Sequence, residues 1–107
     1  SRGLGDVYKR QGADIHMDLP VNLADAVLGA KVEVPTIEGS VTMSIPRGAN
    51  SGQTLRLKGK GIKPPKAKAK GNQYVRLQVM LPDPPDPELS VLLEEWAKVR
   101  GKAADTE

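Results

Sequence analysis

Lys58, Lys60, Lys63, Lys66, Lys68 and Lys70, with Arg56 just ahead of them, place seven of the chain's sixteen basic residues within residues 56–70. No acidic residue interrupts the stretch "RLKGKGIKPPKAKAKGNQYVRL" (56–77). Three readings suit such a run: a loop cradling a nucleotide's phosphates, a surface neutralising a nucleic-acid backbone, or the solvated turn of a hairpin. The first fails on local geometry. A phosphate loop needs Gly-x4-Gly-Lys-Ser/Thr between a strand and a helix, so that backbone N–H groups and the helix terminus face the anion. Here Gly59-Lys60-Gly61 is followed by Ile62 and soon by Pro64-Pro65, which forbid a helix at that point. The second survives on charge, because six lysines can neutralise several phosphates and give salt-dependent, sequence-blind binding. It is weakened by composition: residues 58–70 hold no aromatic ring for stacking and no Arg for base-edge readout. Alternating Lys and Ala is also what a soluble, solvated loop looks like.

The remaining reactive side chains do not assemble into a site. The single His, His16, sits beside Met17, with no second His and no Cys to complete a metal centre. Ser44, Ser51 and Ser90 lack the Gly-x-Ser-x-Gly setting that exposes a nucleophile. Acidic residues are scattered, and no spacing forces a pair into one pocket. No catalytic residue, metal ligand or cofactor is expected, and the chain does not read as an enzyme.

Composition bounds the rest. A chain of 107 residues suits one small domain. The net charge of +3 is carried by the lysine run, since outside residues 56–70 nine basic residues face thirteen acidic ones. With two Tyr, one Trp and no Phe, the core falls to Val, Leu, Ile and Met. Lack of Cys excludes disulfides and suits a reducing cytoplasm, the expected location. No apolar run nears the ~20 residues of a membrane span, so no membrane partner is expected. No signal-peptide pattern opens the chain.

The elements that would position these residues are mostly strands. Residues 1–12 show neither helical nor strand periodicity, and 1–13 read as a linker or a non-native leader. In "DIHMDL" Ile15, Met17 and Leu19 alternate with His16 and Asp18, the period of a half-buried strand that Pro20 should end. "NLADAVLG" reads as a short helix with Asn22 as N-cap, Leu23, Ala26 and Val27 inward, and Gly29 as its stop. "KVEVPT" and "VTMSI" are strands facing the core through Val32 and Val34, and through Val41, Met43 and Ile45, with a Glu38-Gly39 turn between them. "QTLRLKG" offers Leu55 and Leu57. "NQYVRLQVML" offers Val75, Leu77, Val79 and Leu81, with Tyr74, Arg76 and Gln78 outward. "PDPPDP" breaks regular structure. A last helix follows near 87–99, capped by Asp86, with Leu89, Leu92, Leu93 and Trp96 on one stripe and Gly101 ending it. The expected fold is mainly β: a small antiparallel, two-layer β-sandwich-like domain with one short internal helix and a C-terminal amphipathic helix.

The spaced pattern "DIHMDLPVNLADAVLGAKVEVPTIEGSVTMSIPRGANSGQTLRLKGKGI", followed by "GNQYVRLQVMLP", closely resembles the second C-terminal peptide-binding domain of DnaJ-type J-domain co-chaperones. The resemblance covers residues 14–99, with Asn72 where the family usually carries Asp and no counterpart for the first dozen residues. It implies a DnaJ C-terminal domain over 14–82, a Pro-rich hinge and dimerisation helix over 83–100, and a polar tail over 101–107. It also implies that "RLKGKG" is a structural strand and turn, and that the Lys-rich stretch is the family's variable loop. By the same resemblance, unfolded polypeptides are the expected partners, and Leu89, Leu92, Leu93 and Trp96 are candidates for a homodimer interface. A DnaK-type chaperone is the implied recipient, engaged through a J-domain whose His-Pro-Asp motif this sequence lacks. Family members named for curved DNA keep a nucleic-acid contact through Lys58–Lys70 as the alternative, by analogy.

Overall fold

The computed structural model describes residues 8–105. Its first element is one the sequence pattern does not announce. Tyr8–Gln11 (β1) pairs antiparallel with Asp14–Asn22 (β2), closing a tight hairpin over Gly12-Ala13 in which Gln11 faces Asp14. Residues 8–11 are therefore part of the domain and not a featureless leader. An edge strand with one neighbour needs little of the alternation that marks a central strand, so its pattern is faint.

Pro20 does not end β2 either. The Ile15 amide donates to Asn72, on the side of the neighbouring strand Gln73–Met80, so alternation turns the nitrogens of His16, Asp18 and Pro20 to the other side. Among the described residues β1 reaches only as far as Met17 on that side, and Pro20 therefore forfeits no ladder bond.

The short helix α1 (Leu23–Leu28) follows as expected, with the Asn22 Oδ1 accepting from the Asp25 amide at 2.7 Å. Only Ala26 of this helix is buried; Val27, expected inward, is exposed. Six residues are too few to be stable alone. The loop that follows Ile45 holds them, because Gly48 and Ala49 donate to the Val27 and Ala26 carbonyls at 3.1 and 2.9 Å.

Strands β3 (Ala30–Thr36) and β4 (Gly39–Ile45) form a separate two-stranded antiparallel sheet. Its turn is Ile37-Glu38, one residue earlier than the sequence suggests. The Thr36 hydroxyl tightens it by donating to the Gly39 carbonyl and accepting from the Glu38 amide. Strands β5 (Thr54–Leu57) and β6 (Gln73–Met80) complete the larger sheet, in the order β1-β2-β6-β5. The fold is the expected small β-sandwich-like domain, but its central pair β2–β6 is parallel, with Met17 beside Val75 and Leu19 beside Leu77. Fifty residues of chain separate those strands, and direction across such a gap is a tertiary outcome.

The core lies between the sheets. Met17, Val21, Val75 and Leu77 from the larger sheet meet Val34, Met43 and Ile45 from the smaller one, with Ala26 and Ala49 closing one end. Each large aliphatic side chain buried there contributes about 1.5–3 kcal/mol before entropy is counted. Leu81, expected to extend the inward series, lies beyond β6 and is exposed.

The last helix, α2 (Pro87–Asp105), is longer than expected. The Asp86 Oδ1 accepts from the Glu88 amide at 2.9 Å, confirming the cap. Gly101 does not end the helix, because one Gly costs only about 1 kcal/mol against Ala and no Pro follows it.

Candidate functional site

Parallel pairing of β2 with β6 gives the sheet two distinct ends. Asp14 and Gln73 lie at one, Asn22 and Met80 at the other, separated by about 26 Å of strand. The lysine loop closes on the first end; α1, the Pro-rich hinge and α2 leave from the second. Sequence reading does not reveal that these two groups of candidate residues are kept apart.

At the second end, the α2 stripe faces α1 across open space. One cleft of about 520 Å³ is lined by residues including Leu23, Val27, Leu28, Pro82, Leu89 and Leu93. A second, of about 390 Å³, lies among Leu23, Val27, Leu92, Leu93 and Trp96. The structure thus brings all four predicted stripe residues to one surface and adds Val27 and Leu28 to it. Val27 is 52% exposed, Leu28 59%, Trp96 60% and Leu92 67%, so this surface is not part of the domain core. The signal for Val27 was available in retrospect: a helix of under two turns buries one position, and Ala26 takes it.

At the first end, Gly61 and Gly71 clamp the lysine loop at its neck. The Gly61 amide donates to the Gly71 carbonyl (2.9 Å), Ile62 to Ala13 (2.7 Å) and Gly71 to Ile62 (2.8 Å). A Cβ on either glycine would overlap the Ala13 backbone, which is why this close approach needs glycine. Asn72, in the position where Asp was expected, accepts from the Gly59 amide at 3.0 Å and donates its own amide to Asp14 at 2.8 Å. Glu38, from the β3–β4 turn, sits between Lys60 (3.8 Å) and Lys70, both within ion-pair reach. Lys58, Lys63, Lys66 and Lys68 are exposed and have no acidic partner among the described residues.

The outer face of the larger sheet is polar. His16 stacks on Tyr74 with centroids 5.0 Å apart, and Arg76 grips Asp18 through Nε at 2.9 Å and Nη2 at 3.2 Å. That hydrogen bond, and then the carboxylate's charge, raise the Arg76 pKa above its usual value. His16 is thus a sheet-face residue. Its partner is an aromatic ring, and no cluster of metal-ligating residues occurs among the described residues. Sequence reading also missed Gln73, which is fully buried and donates Nε2 to the Pro35 carbonyl at 3.0 Å.

Open strand edges complete the inventory of binding features. β5 has a neighbour on one side only, and β3 and β4 each pair only with the other among the described residues. A sheet domain with free edges, an uncovered apolar helix surface and a clamped basic loop has the parts of a binding module.

A family model described as the DnaJ C terminal domain matches residues 4–82. The chain belongs to the DnaJ C-terminal domain family. It is 38% identical over 102 residues to the chaperone protein DnaJ of Halorubrum lacusprofundi, covering 95% of this chain and 26% of that protein. Against the chaperone protein DnaJ of Clostridium perfringens it is 36% identical over 99 residues, 92% of this chain and 26% of the relative. With that of Exiguobacterium sp. it shares 37% over 98 residues, 92% and 27% of the two chains. The chain spans about a quarter of the length of the curated relatives it matches. The match from residue 4 agrees with β1 in placing the domain's start ahead of Asp14. Among the described residues no helix is long and apolar enough to cross a membrane.

Proposed function

We propose that this chain is the second C-terminal module of a DnaJ-type co-chaperone, which holds non-native polypeptide and pairs two copies of the protein. The observation that carries the reading is the apolar surface shared by α1 and α2, where Val27, Leu28, Leu92 and Trp96 remain more than half exposed in the single chain. An apolar surface of that kind, set on a helix beyond a Pro-rich hinge, calls for a covering partner. Two-fold pairing covers it self-complementarily, stripe against stripe. Client binding is supported by the edges of β4 and β5 that meet no further strand among the described residues, because an extended peptide gains backbone hydrogen bonds there while alternate side chains set specificity. The module breaks and makes no covalent bonds. Delivery of clients to a DnaK-type chaperone falls to a J-domain elsewhere in the full-length protein.

Sedimentation tests the pairing. The chain is expected to dimerise with concentration, and Leu92→Asp to give a folded monomer; a parent chain that stays monomeric at high concentration overturns it. Suppression of a model client's aggregation tests the holding role, and a chain without effect on aggregation removes it.

A further inference from the structure

Going beyond client holding and pairing, we propose that the basic end of the sheet, residues 58–70 with Glu38, docks an acidic polypeptide segment through that segment's carboxylates. Three observations carry this. The loop is a built platform: its neck is hydrogen bonded at Gly61, Ile62 and Gly71 and packed backbone to backbone on Ala13, so the lysines project from a fixed base. A carboxylate already occupies it, since Glu38 sits between Lys60 and Lys70 and shows that the spacing of these two ammonium groups accepts one. Lys58, Lys63, Lys66 and Lys68 have no acidic partner among the described residues and can take further carboxylates, with no acidic residue from 56 to 77 to compete.

The side-chain chemistry favours polypeptide over nucleic acid. Lysine offers a compact point charge that pairs with single carboxylates from any direction, whereas Arg brings the planar fork suited to phosphate and base edges. Residues 58–70 contain no Arg and no aromatic side chain on which a base could stack. Glu38 then acts as a resident competitor. Its side chain is about two-fifths exposed, so an incoming carboxylate can displace it, and its removal frees two more ammonium groups. The loop stands at the opposite end of the sheet from the α1–α2 surface, so an acidic segment docks there without meeting the pairing face.

Fluorescence anisotropy of a labelled oligoglutamate peptide, titrated with the whole chain at low and at physiological salt, tests the proposal. Replacing Lys63, Lys66 and Lys68 together by Gln removes three exposed ion pairs and is expected to weaken binding about tenfold, with the effect shrinking as salt rises. Glu38→Gln is expected to tighten binding severalfold, the opposite sign from a merely structural role. Unchanged thermal melts of both variants establish that the fold is intact, and Lys66→Gln alone serves if the triple variant melts early. Oligoglutamate that does not bind, a triple variant that binds as the parent does, or Glu38→Gln without gain overturns the proposal. Duplex DNA that binds more tightly than oligoglutamate, and is lost with the same lysines, assigns the loop to nucleic acid and overturns it as well.

Discussion

Single residues in this domain differ sharply in what they hold. Leu77 is fully buried at the centre of the core, so Leu77→Ala removes apolar contact and leaves a cavity. The expected loss is about 2–5 kcal/mol, read as a lower midpoint in urea with the slope unchanged. Gln73 is equally buried but half satisfied, since its Oε1 accepts no hydrogen bond among the described residues. An orphan buried acceptor costs about 1–3 kcal/mol, but Gln73→Leu, of similar volume, also takes the Nε2 donor from the Pro35 carbonyl, so the two effects offset and the urea midpoint is expected to move little. Arg76 shows the converse. Its bidentate contact with Asp18 is well formed, yet both side chains are partly in water, and Arg76→Ala is expected to shift stability little.

At the scale of elements, the two helices are held in different ways. Helix α1 is too short to persist alone; its cap and the Gly48 and Ala49 amides that close its C-terminal end keep it folded. Asn22→Ala is therefore expected to cost about 1 kcal/mol, measured by thermal or urea unfolding. Helix α2 has length and a cap, but its stripe is not buried within the chain. The pairing variant Leu92→Asp is accordingly expected to change the sedimentation behaviour and leave the melting of the β domain in place. The lysine loop depends on its neck. Gly71→Ala would drive a Cβ into the Ala13 carbonyl, and the expected result is a lower melting temperature with loss of oligoglutamate binding.

Across the whole molecule, the principal axes of 59, 30 and 20 Å describe an elongated body with an apolar end and a basic end. Substitutions this far apart, with no shared partners, should act independently. Leu92→Asp is expected to abolish dimerisation while leaving oligoglutamate affinity per chain unchanged, and Glu38→Gln to tighten oligoglutamate binding while leaving dimerisation unchanged. Coupling between the two readouts in the double variant would mean that the sheet between them responds as a unit.

Much of this was legible in the sequence by itself. Period-two alternation placed β2 to β6 and most of their inward residues, with Leu81 wrongly included and Val21 and Gln73 missed; Asn22 and Asp86 marked the helix starts, and the spaced pattern from Asp14 to Pro82 carried the family. These are local signals, written within a few residues. The tertiary structure decided what no local signal holds: that β2 and β6 run parallel, that Pro20 can stay in a strand because its nitrogen faces a side with no ladder partner among the described residues, and that Tyr8–Gln11 is a strand at all. It also decided that Glu38, from another sheet, reaches the lysine loop, and that Val27 joins the α2 stripe. Direction, edge and neighbour are properties of segments far apart in the chain, fixed only when the sheets close on a shared core and set the basic and apolar residues at opposite ends.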